Sequence, residues 1–257
     1  MALWRPARPS SQAQVGVPIA LAFYNADDGF VESFENAAVG QMWVDILYTT
    51  TGGRTWKVMV RNLSLWDGPN ALVMTGPDEA WLVNGSMEAP AVTVLHTTDG
   101  GRHWTRRAED VPGHAVGIAA VDLRPDALGG AVLMVSLAGV QPRTNIVADQ
   151  AITPTGQWGS IRRLPNEGLP KFLFGNRGLS AVYWSLDTQW VLAESTANGP
   201  VELYRYDDAA GRWLLLPTPA SPQQIVLAGP TTGYLATNAR LWKTVNGGAA
   251  WVALPPL

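Results

Sequence analysis

The chain has 257 residues, 47% hydrophobic and only 15% charged, with a formal net charge of −3 at pH 7. That balance speaks against disorder and gives no general drive toward nucleic acid or an anionic membrane surface. Without a cysteine there is no disulfide framework, thiolate nucleophile or thiolate metal site, and the longest apolar run, residues 129–140, falls far short of the roughly 20 residues that a spanning helix needs.

Residues 1–14 are rich in Pro, Ser and Gln and read as a loose N-terminal arm, with Trp4 as an anchor that would help to close a ring. The arm lacks the continuous apolar stretch of a secretory signal. An exported protein without its leader has the same appearance, and an exported or cell-surface location is favoured over a cytoplasmic one. From Val17 a pattern begins: an apolar strand at 19–23, a turn at 25–29, and an aromatic restart at Phe30. Its counterparts are 71–74, a turn at 76–79 and Trp81; 118–121, a turn at 125–130 and 132–135; 181–184, a turn at 186–188 and Trp190; and 225–228, a turn at 229–233 and Tyr234. Alternation bounded by Gly, Pro and Asp identifies β-hairpins. No segment sustains the apolar period of a helix.

Each of these hairpins is followed by a second one, closed by a recurring corner. The clearest copy is Thr97-Thr98-Asp99-Gly100-Gly101-Arg102-His103-Trp104. Asp99 is placed to accept backbone N–H groups, the two glycines supply positive φ, and Trp104 opens the return strand with an indole that packs toward the core. The same grammar stands at Thr49, Gly53 and Trp56, where Thr51 holds the acidic position, and at Thr244, Asn246, Gly248 and Trp251. Two degenerate copies end at Trp158 and Trp213. The tryptophans recur at intervals of roughly 40 to 55 residues, a period that points to a propeller or solenoid.

These corners resemble the Asp-box, or BNR repeat, Ser/Thr-x-Asp-x-Gly-x-Thr-Trp. Boxes of this type are similar across sialidases, xyloglucan-cleaving hydrolases, sortilin-type receptors and photosystem assembly factors of the Ycf48 type. The resemblance implies a β-propeller blade and is nearly silent about function. The expected fold is all-β: a single domain over 15–257 made of five four-stranded antiparallel blades, about 15–61, 62–111, 112–164, 165–219 and 220–257.

Blade topology sends the first hairpin turn and the corner to one rim. The other rim, where ligands of propellers generally meet the protein, would carry 32–43, 84–89, 139–145, 194–200 and 237–240, together with the links 106–114, 162–177 and 217–223. Rim loops on a rigid scaffold are where binding concentrates. Basic and aromatic residues gather there, and Arg107, Arg163, Lys171, Phe172, Phe174 and Arg177 are the candidate binding residues. The basic ones suit an acidic peptide, a carboxylate sugar or a phosphate, and Phe172 and Phe174 an apolar contact with a partner. The corner residues Thr97, Asp99, Gly101, Trp104, Thr49, Gly53, Trp56, Asn246, Gly248 and Trp251 are read as structural.

Catalysis of the sialidase kind would need an early Arg-Ile-Pro, and the nearest approach, Trp4-Arg5-Pro6, precedes the first blade. A general glycosidase needs two carboxylates roughly 5 to 10 Å apart. Glu32 and Glu194, each in a Glu-Ser pair after the second strand of its blade, are the alternative catalytic candidates. The three histidines lack zinc-ligand spacing, and no phosphate loop, dinucleotide fingerprint or hydrolase elbow occurs. The reading is a non-catalytic binding or assembly propeller engaging a protein segment or glycan, with a glycoside hydrolase as alternative. No cofactor, metal, nucleic acid or integral membrane segment is expected; the oligomeric state is left open.

Overall fold

The computed structural model describes residues 16–110, 115–125, 130–139, 146–153, 155, 157, 159, 162–165, 167–169, 179–185, 188–194, 200–228 and 231–255. Among these residues there is no helix, and the strands form five four-stranded antiparallel sheets in a β-propeller arrangement. Sheet 1 contains β1 (Val17–Phe23), β2 (Asp28–Ala38), β3 (Gln41–Thr50) and β4 (Lys57–Trp66). Sheet 2 contains β5 (Asn70–Met74), β6 (Ala80–Gly85), β7 (Ala91–Thr97) and β8 (Thr105–Asp110). Sheet 3 contains β9 (Ala115–Pro125), β10 (Ala131–Gly139), β11 (Ile146–Ile152) and β12 (Arg162–Leu164). Sheet 4 contains β13 (Leu179–Ser185), β14 (Thr188–Glu194), β15 (Val201–Asp207) and β16 (Arg212–Leu216). Sheet 5 contains β17 (Gln224–Leu227), β18 (Gly233–Ala236), β19 (Leu241–Thr244) and β20 (Val252–Ala253). Within each sheet the strands lie in chain order, and the first strands pack in succession, β1 on β5, β5 on β9, β9 on β13 and β13 on β17.

The core lies between sheets, because successive residues of a strand face opposite sides and both faces are apolar. Phe30, Val44 and Ile46 of sheet 1 meet Met74, Leu82 and Leu95 of sheet 2. Trp81, Val83 and Val94 of sheet 2 meet Ile118, Leu123 and Leu133 of sheet 3. Met134 and Leu164 meet Val191, Tyr204 and Trp213, and Trp190, Leu192 and Leu203 meet Ile225, Leu227 and Leu235.

The corners are braced as their residue types require. Gly53, Gly101 and Gly248 donate backbone N–H groups to the hydroxyls of Thr49, Thr97 and Thr244 at 3.1, 3.0 and 3.0 Å. Asp99 accepts the N–H of His103, Asn246 that of Ala250 and Thr51 that of Thr55, at 2.9, 2.9 and 3.0 Å. The Thr51 hydroxyl therefore fills the acceptor role despite the missing carboxylate. The first glycine of each pair bonds back to the opening hairpin turn, Gly52 to Asp27 O, Gly100 to Asp78 O and Gly247 to Thr231 O. Corner and first turn thus share one rim.

One aromatic recurs at one register position and makes the joint to the next sheet. Phe30 lies opposite Tyr48, Trp81 opposite His96, Trp190 opposite Arg205 and Tyr234 opposite Lys243. Phe30 meets Trp104 of the following sheet edge-on, ring centroids 5.9 Å apart, and Trp190 meets Trp251 in the same way at 6.5 Å. The second corner glycine allows that approach: a Cβ on Gly101 would lie 2.9 Å from Phe30, and one on Gly248 3.0 Å from Trp190. The Trp213 and Trp251 indoles donate to Pro165 O and Pro217 O, each just past the last strand of the preceding sheet, both at 2.9 Å.

Several stretches expected as rim loops are strand in part, residues 162–164 of β12 among them. Residues 32–43 continue β2 and β3, and only Val39 and Gly40 turn between them, both at positive φ. Arg106 and Arg107 lie in β8, paired with Leu95 and Val94. In these last two places polar side chains break the alternation that marks a strand, while backbone pairing continues underneath.

Candidate functional site

Glu32 is the one carboxylate of the two catalytic candidates whose side chain is described, and it sits in the joint between sheets 1 and 2. It is 0% exposed. The Trp66 backbone fixes Asn84 by donating N–H to its Oδ1 at 2.7 Å and accepting its amide at 3.0 Å. Asn84 in turn donates to Asn70 Oδ1 at 2.6 Å, and Asn70 presents its own amide to Glu32 Oε1 at 3.2 Å. Glu32 Oε2 has no hydrogen-bond partner among the described residues. Among the described residues no cation pairs with the carboxyl, and burial raises its pKa from 4.5 to about 8, which favours the protonated form at neutral pH.

Glu194 closes β14 opposite Val201, and its side chain lies outside the described residues. The two glutamates do not occupy equivalent places. Glu32 stands two residues beyond Phe30, whereas Glu194 stands four beyond Trp190, the aromatic at the matching register. At a strand rise of about 3.3 Å per residue, Glu194 lies about 7 Å further from its corner.

Among the six candidate binding residues, Arg107 alone has a described side chain, and it is exposed on β8. Its neighbour Arg106 donates to Ser64 O at 3.3 Å. Arg163 stands in β12 opposite Ala148, with its side chain outside the described residues; Lys171, Phe172, Phe174 and Arg177 lie outside them altogether. The rim away from the corners does carry an open cleft of about 780 Å³, lined by Thr237, Arg240, Leu241, Ala253, Leu254 and Pro255. Thr237 and Arg240 belong to a turn expected on that rim. The cleft itself had no sequence signal, because it forms only when that turn and the residues after β20 come together.

The corner rim is occupied by its own chemistry. Asp99 is held down to about 2, first by the His103 N–H and then by the His103 ring, whose Nδ1 lies 2.6 Å from Oδ2. His96 stacks on Trp81 with centroids 3.6 Å apart and lies 2.9 Å from Glu79 Oε1. The Tyr48 hydroxyl donates to Pro77 O at 2.9 Å, crossing from sheet 1 to sheet 2, and burial with Asp78 and Asp28 nearby pushes it up to about 12. Among the described residues no group of three or more His, Asp or Glu is placed to hold a metal ion, and no helix is long and apolar enough to cross a membrane.

No protein-family model matches this chain, and no curated protein matches it. Solved structures do. An α-L-arabinanase from Penicillium chrysogenum, solved with arabinobiose, superposes with a TM-score of 0.60 at 13% identity, over 96% of this chain and 84% of its own. A GH74 xyloglucanase from Xanthomonas campestris gives a TM-score of 0.51 at 17% identity, over 94% of this chain. The present chain spans 40% of that enzyme's length. A structure of YCF48 bound to a D1 peptide gives 0.48 at 19% identity. The likeness to the two hydrolases is one of fold: these neighbours are β-propellers, as is this chain.

Proposed function

We propose that the chain is a non-catalytic binding or assembly propeller of the Asp-box kind, which engages a protein segment or a glycan on the rim away from the Gly-Gly corners. The burial of Glu32 supports this reading most. A carboxyl at 0% exposure, bonded to Asn70 inside a joint, is closed off from solvent, and its register differs from that of Glu194. The Thr hydroxyls and the Asp99, Asn246 and Thr51 acceptors of the corners bond within their own turns, as turn braces do. On the proposed rim, Arg240 and Thr237 border an open cleft, and Arg107, Arg163, Lys171, Phe172, Phe174 and Arg177 remain the residues to test beside them.

The test is a panel of fluorogenic glycosides run with wild type, Glu32→Gln and Glu194→Gln, alongside binding screens of immobilised glycans and peptides. The expected result is no turnover of any sugar, together with a ligand whose affinity falls severalfold in Lys171→Ala/Arg177→Ala or Arg240→Ala. A second reading, glycoside hydrolysis, is favoured by one observation: Glu32 is protonated at neutral pH, the state a general acid requires. Turnover abolished by Glu32→Gln would establish that reading and end the first.

A further inference from the structure

The turn between β2 and β3 carries a residue that its backbone disfavours. A two-residue hairpin turn with both central residues at positive φ is the place for Asn, Asp or Gly. Gly40, at 72°, conforms, but Val39 stands at 35°, where a β-branched side chain is strained. Burial does not offset the strain, because Val39 is fully exposed at the hairpin tip. A strained side chain held out into solvent points to a function at that tip.

The tip adjoins two other exposed segments. The Asp67 N–H donates to Gly40 O at 3.0 Å, a Cβ on Gly40 would lie 3.3 Å from Glu88 Oε2, and one on Gly68 would lie 3.4 Å from Met87 Cγ. The hairpin tip, the link after β4 and the loop after β6 therefore meet on the rim away from the corners. Together they expose Val39, Met87 at 64% and Trp66 at 37%. The loop that holds Met87 is pinned through Ser86, which donates its N–H to Ala91 O at 2.9 Å and accepts the Ile118 N–H at 2.6 Å, while its hydroxyl accepts the Glu88 N–H at 3.2 Å. A methionine on such a loop is an adaptable contact that loses little backbone freedom on binding. The border is acidic: Glu35 on the hairpin, Asp67 on the link and Glu88 on the loop are exposed, and β8 ends on the same rim with Glu109 and Asp110 opposite Val92 and Ala91. Arg61 and Arg106 lie nearer the corners, engaged with Asp45 at 3.2 Å and with Ser64 O at 3.3 Å.

We propose that this patch docks a segment of a partner protein in which an apolar side chain is flanked by Lys or Arg, the apolar group seating on Val39, Trp66 and Met87 and the cations facing Glu35, Asp67 and Glu88. Charge selects the occupant: the acidic border repels an anionic lipid surface and a second copy of the same patch alike. The proposal rests on the reading that this rim binds a partner, and it names that partner's chemistry at sheets 1 and 2, apart from the cleft beside Arg240.

Selection from a random-peptide display library on the immobilised full chain tests this, followed by titration of the enriched peptides. Those peptides are expected to combine an apolar residue with flanking Lys or Arg. Val39→Asn is the variant that separates binding from folding, since asparagine suits the turn: its urea midpoint should rise, while its affinity for the peptides falls roughly tenfold or more. Asp67→Lys/Glu88→Lys should turn the selection toward acidic peptides. A library that yields no binder, enriched peptides without cations, or binding that Val39→Asn leaves unchanged overturns the proposal. Anionic vesicles that carry down wild type but not Val39→Asn would overturn it in favour of lipid, and self-association lost in Val39→Asn would overturn it in favour of a second copy. A ligand lost in Arg240→Ala but kept in Val39→Asn sinks this proposal and leaves the proposed function standing.

Discussion

At the scale of single residues, two buried polar groups bear directly on stability. Glu32 has a folded-state pKa of about 8 against 4.5 when unfolded. Well below 4.5 both states are protonated and the group adds no pH dependence. Between 4.5 and 8 the unfolded chain ionises while the folded one does not, so stability falls by about 1.4 kcal/mol per pH unit. Urea midpoints measured from pH 5 to 8 should fall for wild type and flatten in Glu32→Gln, whose amide oxygen still accepts from Asn70. Thr97 is the other case: it is 1% exposed and accepts the buried Gly101 N–H. Thr97→Val keeps the shape and orphans that donor, for an expected loss of about 1–3 kcal/mol, read as a lower urea midpoint. The two residues differ in how far the sequence revealed them. Thr97 was legible because its partners lie within seven residues along the chain. The burial of Glu32 was not, because it depends on Asn70 in another sheet, and a Glu in a polar run looks like a loop residue.

At the scale of elements, the corner is two devices in one motif, and glycine substitutions separate them. Gly101, Gly248 and Gly211 all have positive φ, so alanine pays similar backbone strain at each, on the order of 1–2 kcal/mol. Only at Gly101 and Gly248 would the new Cβ strike the aromatic of the preceding sheet, whereas at Gly211 it meets nothing within 4 Å. Gly101→Ala and Gly248→Ala should therefore lose a further 1–3 kcal/mol or so from overpacking. Chemical denaturation of the three variants side by side measures the difference, and equal losses would mean that the glycines serve the turn alone. The corner and hairpin positions were legible from Thr, Gly and Trp spacing. The length of β2, β3 and β8 was not, since Glu32, Asn36, Arg106 and Arg107 interrupt the apolar alternation while the backbone goes on pairing.

At the scale of the whole molecule, the repeat spacing carried the architecture, because a fold built from one unit announces itself through its period. Ligand chemistry left no such trace: residues that share a rim are scattered over the chain and answer to no common spacing. The shape also governs how the protein comes apart. Among the described residues every apolar cluster joins one sheet to its immediate successor, so sheets 2, 3 and 4 are clamped from both sides, and sheet 5 packs on sheet 4. Such a nearest-neighbour array behaves as a one-dimensional chain of coupled units. Amide hydrogen exchange should show a gradient, with β6 and β7 protected longest and β18 and β19 earlier to exchange; uniform protection would mean that the array opens as one body. Fraying from sheet 5 would expose Trp190 and withdraw Trp251 from Pro217 O, so tryptophan emission would register the first step of unfolding before most of the strand signal is lost.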